Sequence, residues 1–375
     1  MSGIYIHVPF CKQECHYCDF YKTTLLGQRP AYLQALMKEI DLQTPRFAMS
    51  KLETIYWGGG TPSLIDPVNL GKVLNRLETA YGFEKDIEIT LEVNPDDVNR
   101  DFLKAIRSEG FNRLSMGVQS FDRTILRQLN RRHNPEQALH AVELAHAVGF
   151  DNISIDFIYG IPGLSNEQWE ADMNRACSLP VSHISAYHLT IEEGTPFGKW
   201  HREGRLKEIP EEQSILQYEI LCQILQKAGY EQYEISNFAK DGLISRHNTS
   251  YWQGKKYLGL GPSAHSYDGE KRCWNVSDLH RYTQALMQEE KWFECEQLST
   301  DDRYNEYLLT HLRTQWDCDL DWISNELGKS YEDYLLNQIQ IQGLQEYFSL
   351  TQRKLALKRA YWFISDAILS RIFKV

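Results

Sequence analysis

Apolar positions along the chain follow two alternating rhythms. Short runs rich in β-branched and aromatic residues recur at 4–8, 54–57, 86–93, 113–117, 152–159 and 181–189, and read as strands. Between them, apolar residues spaced three and four apart read as helices at 30–43, 66–81, 99–109, 122–129, 135–148, 166–178 and 210–228. Pro30 stands at a helix first turn and Asp66 at an N-cap, where each residue type is favoured. Six strand–helix units in a row imply a parallel sheet with right-handed crossovers. A full eightfold barrel takes about 250 residues. Six units ending near residue 230 fit a shorter object, so the fold class expected is α/β, a partial (β/α)6 TIM-like barrel. A doubly wound sheet is the alternative. In either case ligands bind beyond the C-terminal ends of the strands. The segments "PFC", "GGGTP", "EVNPD", "GVQSFD", "DFIYGIPG" and "AYHLT" all fall there.

From 230 to 275 the alternation lapses into a stretch rich in Gly, Asn, His and aromatic residues. Such stretches in compact proteins are functional or disordered, and this one has too many aromatics for disorder. Helical spacing returns at 279–289, 302–313, 320–327 and 330–341. "LQEYFSL" and "RKLALK" then pair as a two-stranded wing before a helix at 361–373. The expected organisation is a core at 1–235, an irregular aromatic and glycine-rich segment at 236–290 packing on the barrel, and a small, mainly helical, winged-helix-like C-terminal domain at 291–375.

The net charge of −11 argues against nonspecific nucleic-acid binding, which needs a basic surface. The last 31 residues carry six Lys/Arg against two Asp/Glu, and a solvated face accounts for them. No apolar run approaches the roughly 18 residues of a membrane span, and the start MSGIYIHVPF has no signal-peptide pattern, so a cytoplasmic protein is expected. In that compartment disulfides are disfavoured, and clustered cysteines point to metal or redox chemistry.

Three of the 8 cysteines are clustered: Cys11, Cys15 and Cys18 form C-x3-C-x2-C. Three close thiolates suit zinc or an iron–sulfur cluster. A structural zinc ion wants a fourth ligand, for which His7 and His16 are the nearby candidates. A 4Fe–4S cluster on three cysteines keeps one iron open instead. The other cysteines, Cys177, Cys222, Cys273, Cys295 and Cys318, are scattered, and the first two read as small core residues.

These residues resemble the radical S-adenosylmethionine (SAM) enzymes, in which three cysteines at this spacing hold a 4Fe–4S cluster and SAM chelates the open iron. Their typical fold is a partial (β/α)6 barrel. The resemblance extends over about residues 3–280, through "GGGTPSL", "LEVNPD", "NRLSMGVQSFD", "LNRRH" and "SIDFIYGIPG". These look like the SAM-contacting segments of oxygen-independent coproporphyrinogen III oxidase and its relatives. The resemblance implies SAM contacts at Tyr5, Tyr17, Gly59, Gly60, Thr61, Glu92, Gln119, Arg131 and Asp156. The chemistry fits: glycine lets backbone approach a ligand, carboxylates hold hydroxyls or an amine, and arginine neutralises a carboxylate.

Within that family the chain departs from the oxidases. They carry a further cysteine two residues after the third cluster cysteine, where Phe20 stands here, and an extension ahead of the cluster. "RHNTSYW" instead matches the H-N-x-x-Y-W pattern of the heme chaperone HemW group. That resemblance implies heme binding at His247, Tyr251 and Trp252, with Arg246 or Lys255 meeting a propionate. His265 and Cys273 are competing iron ligands. The expected function is a heme chaperone that carries a 4Fe–4S cluster with exchangeable SAM. It hands heme to an acceptor protein such as a membrane respiratory component, working as a monomer or dimer without nucleic acid. The alternative is the oxidase, a radical decarboxylation of porphyrinogen propionates. A structural or nucleic-acid-binding role for the basic C-terminal part is the least supported reading.

Overall fold

The computed structural model describes residues 3–47 and 50–374. Six strands, β1 (Gly3–Val8), β2 (Leu52–Gly59), β3 (Phe83–Val93), β4 (Arg113–Gln119), β5 (Asn152–Tyr159) and β6 (His183–His188), pair in that order, all parallel. The connections carry α1 (Arg29–Gln43), α2 (Pro67–Tyr81), α3 (Arg100–Ser108), α4 (Arg123–Gln128), α5 (Pro135–Val148) and α6 (Asn166–Cys177). After β6 come α7 (Pro196–Arg202) and α8 (Glu211–Lys227). This is the expected (β/α)6 core. Its helix starts are encoded locally: Asp66, Asn99, Asp122, Asn134 and Ser165 each accept a backbone N–H at an N-cap. Ile4, Ile6 and Val8 on one face of β1 are fully buried, while Tyr5 and His7 point to the other face, toward the ligand side.

The sheet continues beyond the core at both ends. β7 (Glu231–Gln232) and β8 (Asn237–Ala239) form an antiparallel hairpin beside β6. After α9 (Arg246–Trp252), strand β9 (Tyr257–Leu260) pairs parallel to β1. β10 (His265–Tyr267), β11 (Lys271–Asn275) and, after α10 (Leu279–Gln288), β12 (Phe293–Gln297) add antiparallel. The sheet therefore has 12 strands. Segment 236–290, expected to be irregular up to the helix at 279–289, instead supplies short strands and the helix α9 ahead of the expected α10. Strands of three to five residues separated by glycines leave too short a period to read. Cys273 and Cys295 face each other on β11 and β12 and form a disulfide, which removes Cys273 from the candidate iron ligands.

One buried carboxylate fastens this extension to the core. Glu39 on α1 is fully buried and accepts hydrogen bonds from Gly261 N (2.8 Å), Asn275 Nδ2 (2.7 Å), Trp292 Nε1 (3.0 Å) and Tyr282 OH (2.5 Å). Gly261 is held so close to β1 that a Cβ there would stand 2.4 Å from the His7 carbonyl, at a φ of +94°.

The C-terminal part contains α11 (Thr300–His311), β13 (Cys318–Asp319), α12 (Leu320–Trp322) running into a wider turn Ile323–Leu327, and α13 (Lys329–Ile341). The expected wing is present as β14 (Phe348–Thr351) and β15 (Lys354–Leu357), joined through Gln352 and Arg353, both at positive φ. The final helix expected at 361–373 is mostly a 3-10 turn, Arg359–Ile364, ahead of a short α14 (Ser365–Leu369). There Trp362 is buried and donates its indole N–H to Leu357 O, pulling the chain into the tighter turn. Three basic residues near the end of the chain are paired within this part: Arg353 with Asp321 and Glu332, Lys354 with Asp319, and Lys374 with Asp301. Among the described residues no helix is long and apolar enough to cross a membrane.

Burial raises the pKa of Glu39 from 4.5 to about 7, against the pull of its four donors. The folded state thus holds the proton more tightly than the unfolded chain. The contribution of this group to stability is full below about pH 4.5 and is lost as the pH rises through 7. Urea unfolding of Glu39→Gln should show a flatter pH dependence across that window. Glu39→Ala, which orphans the Gly261, Tyr282 and Trp292 donors while Asn275 keeps Gly261 O, should lower stability by about 3 kcal/mol or more.

Candidate functional site

The cysteine loop crosses the C-terminal ends of the strands and is pinned along its length. Cys11 N donates to Thr23 O (2.9 Å) and Thr23 N to Pro9 O (2.7 Å), closing the loop base. His16 N donates to Leu129 O (3.1 Å), and Lys22 Nζ to Cys18 O (2.7 Å). Cys11, Cys15 and Cys18 line one cavity of about 560 Å³. Burial raises the pKa of the Cys11 thiol to about 11 and pushes that of Cys18 in the same direction. Polar side chains approach the sulfurs, among them Thr61 Oγ1 at 3.7 Å from Cys11 Sγ and Arg131 Nη1 at 3.4 Å from Cys15 Sγ. Neither zinc candidate lines this cavity. His16 Nδ1 bonds Gln128 O (2.9 Å) and its ring packs on Trp200, while His7 is tied to Tyr21 O (2.8 Å) and Tyr5 OH (3.1 Å). Among the described residues no group of three or more His, Cys, Asp and Glu converges as a single-ion site.

Eight of the nine SAM candidates stand on this same cavity: Tyr17, Gly59, Gly60, Thr61, Glu92, Gln119, Arg131 and Asp156. Gly59 has φ +106°, and a Cβ there would meet the His7 ring at 2.7 Å. A Cβ on Gly60 would stand 2.7 Å from Phe10 O and 3.0 Å from Cys11 Sγ. The glycine run is thus a close approach of backbone to the cysteine loop, and only glycine fits. At the end of β4 the register slips after Gly117, and Gln119 adopts φ +69°. Arg131 Nη2 donates to Gly117 O and Asn94 Oδ1, both at 2.7 Å. Asp156 accepts from Ser115 Oγ (3.0 Å), and Glu92 from Tyr56 OH (2.8 Å). Burial raises both carboxyls, Glu92 to about 7 with Asp156 adding to the rise. Two carboxyls lifted by burial are stabilised when a cation enters beside them, which suits a sulfonium or ammonium ligand.

The ninth candidate, Tyr5, stacks on Tyr56 (6.2 Å) and faces a second cavity of about 1190 Å³. The two cavities are contiguous, sharing Phe20, Tyr56, Gly59, Glu92, Tyr187 and Asn248. Its walls are aromatic: Tyr21, Tyr251, Tyr257 and Tyr267 on the barrel side, Tyr307, Trp316 and Trp322 on the C-terminal side. His247 and Tyr251 are on the wall because they are one turn apart on α9; Trp252 is one residue on and is not among the lining residues. Both His247 nitrogens are engaged, Nδ1 with Thr54 Oγ1 and Nε2 with Tyr251 OH, each at 2.8 Å. Arg246 turns outward to Glu53 and the Asp86 carbonyl, whereas Lys255 lines the cavity.

Several lining residues escaped the motif reading. Arg113 and Asn94 also reach the small cavity, from inside the segments "NRLSMGVQSFD" and "LEVNPD", and Arg113 is buried with its Nε unpartnered among the described residues. A lone arginine inside the apolar run of β4 was the available signal. The C-terminal wall, led by α11, gave no sequence signal beyond helical spacing.

The model of the Radical SAM superfamily matches residues 5–176. A protein named heme chaperone HemW from Bacillus subtilis is 37% identical over 318 residues, covering 84% of this chain and 83% of that protein. Its Haemophilus influenzae namesake is 32% identical over 377 residues, covering 97% and 94%. The structure of coproporphyrinogen III oxidase from Escherichia coli, described as a radical SAM enzyme, shares the fold. Its TM-score is 0.85 at 24% identity, over 100% of this chain and 90% of that one. The chain belongs to the HemW family of the radical SAM superfamily.

Proposed function

We propose that the protein is a heme chaperone: it takes heme into the larger cavity and passes it to an acceptor protein, a membrane respiratory component being one suitable class. A 4Fe–4S cluster and SAM, the cofactors that superfamily membership implies, occupy the smaller cavity. The observation that carries the reading is the large aromatic cavity opening directly into the cysteine-lined one. A flat apolar macrocycle is the ligand class that such walls favour.

Cys11, Cys15 and Cys18 would hold three irons of the cluster. Bound there, cluster and SAM supply one-electron chemistry. The chain orients and shields: Arg131 neutralises the SAM carboxylate, and Glu92 and Asp156 take its hydroxyls or amine. Gly59, Gly60 and Thr61 bring backbone against it, beside Tyr17 and Gln119. Tyr5 stands behind Tyr56 and supports the partition between the cavities. His247 and Tyr251 brace the barrel-side wall of the heme cavity through their mutual hydrogen bond.

The oxidase is the reading to separate. The anaerobically reconstituted protein, given coproporphyrinogen III, SAM and a reductant, should form no protoporphyrinogen. In parallel it should take up one heme per chain with a stable Soret band. Robust turnover would sink the chaperone reading. Two variants test the small cavity. Cys15→Ala should lose the cluster absorbance and its iron while still taking up heme. Asp156→Asn should keep its iron and weaken SAM binding about tenfold, measured by equilibrium dialysis.

A further inference from the structure

We infer that bound heme takes its protein iron ligand from His311 of α11, and that Arg303, two turns earlier on the same helix face, meets a propionate. This rests on the heme reading above and names the ligands within that site.

Four histidines line the large cavity: His7, His247, His265 and His311. The first two have both ring nitrogens committed, His7 to Tyr21 O and Tyr5 OH, His247 to Thr54 and Tyr251. His311 differs. Its Nδ1 lies 3.0 Å from Tyr307 O and 3.1 Å from Thr310 Oγ1, whose own hydrogen goes to Glu306 O (2.8 Å); both neighbours therefore accept, so Nδ1 carries the hydrogen. The lone pair is therefore on Nε2, which has no partner among the described residues. A metal-ligating imidazole characteristically donates its other N–H to a backbone carbonyl, which fixes tautomer and ring orientation. Burial lowers the pKa of this imidazole to about 4, keeping it in the neutral, metal-binding form.

The ring is also held mechanically. His311 packs on Tyr307 with centroids 3.9 Å apart, and Tyr307 stacks on Trp322 at 3.9 Å with planes 13° apart. His265 has no such orienting hydrogen bond among the described residues, and its ring stands exposed beside Trp274.

Residues 303, 307 and 311 are successive i+4 neighbours, so Arg303 faces the same cavity. The other cations there are satisfied: Arg272 grips Glu306 with two bonds (2.6 and 3.0 Å), and Lys354 pairs with Asp319. Lys255 is also partnered. Arg303 has no carboxylate partner among the described residues, leaving its fork for a ligand carboxylate.

The test titrates heme into the full-length protein and into His311→Ala, His311→Tyr, Arg303→Gln and His265→Ala, with folding checked by far-UV circular dichroism. We expect His311→Ala to lose about tenfold or more in affinity and to shift the Soret band, with added imidazole restoring the wild-type spectrum. His311→Tyr should convert the spectrum to that of a phenolate-ligated heme. This second variant decides the matter should the alanine variant fold poorly. Arg303→Gln should weaken affinity several-fold with the band unmoved. Wild-type affinity and spectrum in both His311 variants, or loss of the band in His265→Ala, would overturn the ligand assignment while leaving the heme reading intact. Unchanged affinity in Arg303→Gln would overturn the propionate contact. Failure of the unaltered protein to take up heme would instead remove the heme reading itself.

Discussion

The large cavity exists because one carboxylate has been taken out of water. Glu39 sits on the helix that follows the cysteine loop, yet its four donors come from Gly261, Asn275, Tyr282 and Trp292. Moving a carboxylate into an apolar interior costs several kcal/mol, and hydrogen bonds to a charged acceptor recover about 1.5–3 kcal/mol each. The arrangement is favourable only when all the donors arrive together. That requirement couples α1 to a segment more than 200 residues away in sequence. It sets β9 against β1, and with β9 come β10, β11 and the Arg272–Glu306 link to α11. The barrel-side wall of the cavity is thus positioned from a single buried point, and the C-terminal wall joins it through Arg272 and the backbone bonds at Tyr233 and Ile235.

The boundary between the two cavities is equally specific. Tyr56 donates to Glu92 on one side and packs against the His247 ring on the other, at 5.3 Å. A change in the charge of Glu92, whose pKa sits at about 7, alters the hydrogen bond that holds this shared tyrosine. Occupancy of the small cavity by a cation is therefore felt through one side chain at the wall of the large one. Phe20 and Tyr187 add exposed flat faces at the same junction, so the boundary is aromatic on the side of both cavities.

How much of this was legible follows from the length scale of each signal. The six core strands and their helices were readable because each spans enough residues for its period to repeat, and capping residues mark the starts. The cysteine loop and the strand-end segments were readable because each is contiguous, so chemistry and sequence proximity coincide. Strands β9 to β12 were not, because three to five residues do not establish a period and their partners are remote. The Cys273–Cys295 pair, 22 residues apart, looks like two unrelated scattered cysteines until β11 and β12 are seen in register. His247 shows the same limit differently. The motif puts an imidazole on the cavity wall, but only the fold shows that Thr54, 193 residues earlier, occupies one of its nitrogens.

That last point bears on how a chaperone differs from a resident heme protein. A ligand that must be released is poorly served by an imidazole locked into the barrel framework, since each transfer would leave Thr54 and Tyr251 without their partner. A histidine on the C-terminal helix, oriented by its own carbonyl hydrogen bond, loses no framework contact when the iron departs. The C-terminal part is joined to the barrel by Arg272–Glu306 and by backbone bonds from Ile235 N to Arg313 O (3.1 Å) and from Gln315 N to Tyr233 O (3.0 Å), so this wall is fixed against the core. The cofactor cavity takes none of its described lining from the C-terminal part, so the two cavities meet only along the barrel-side residues they share.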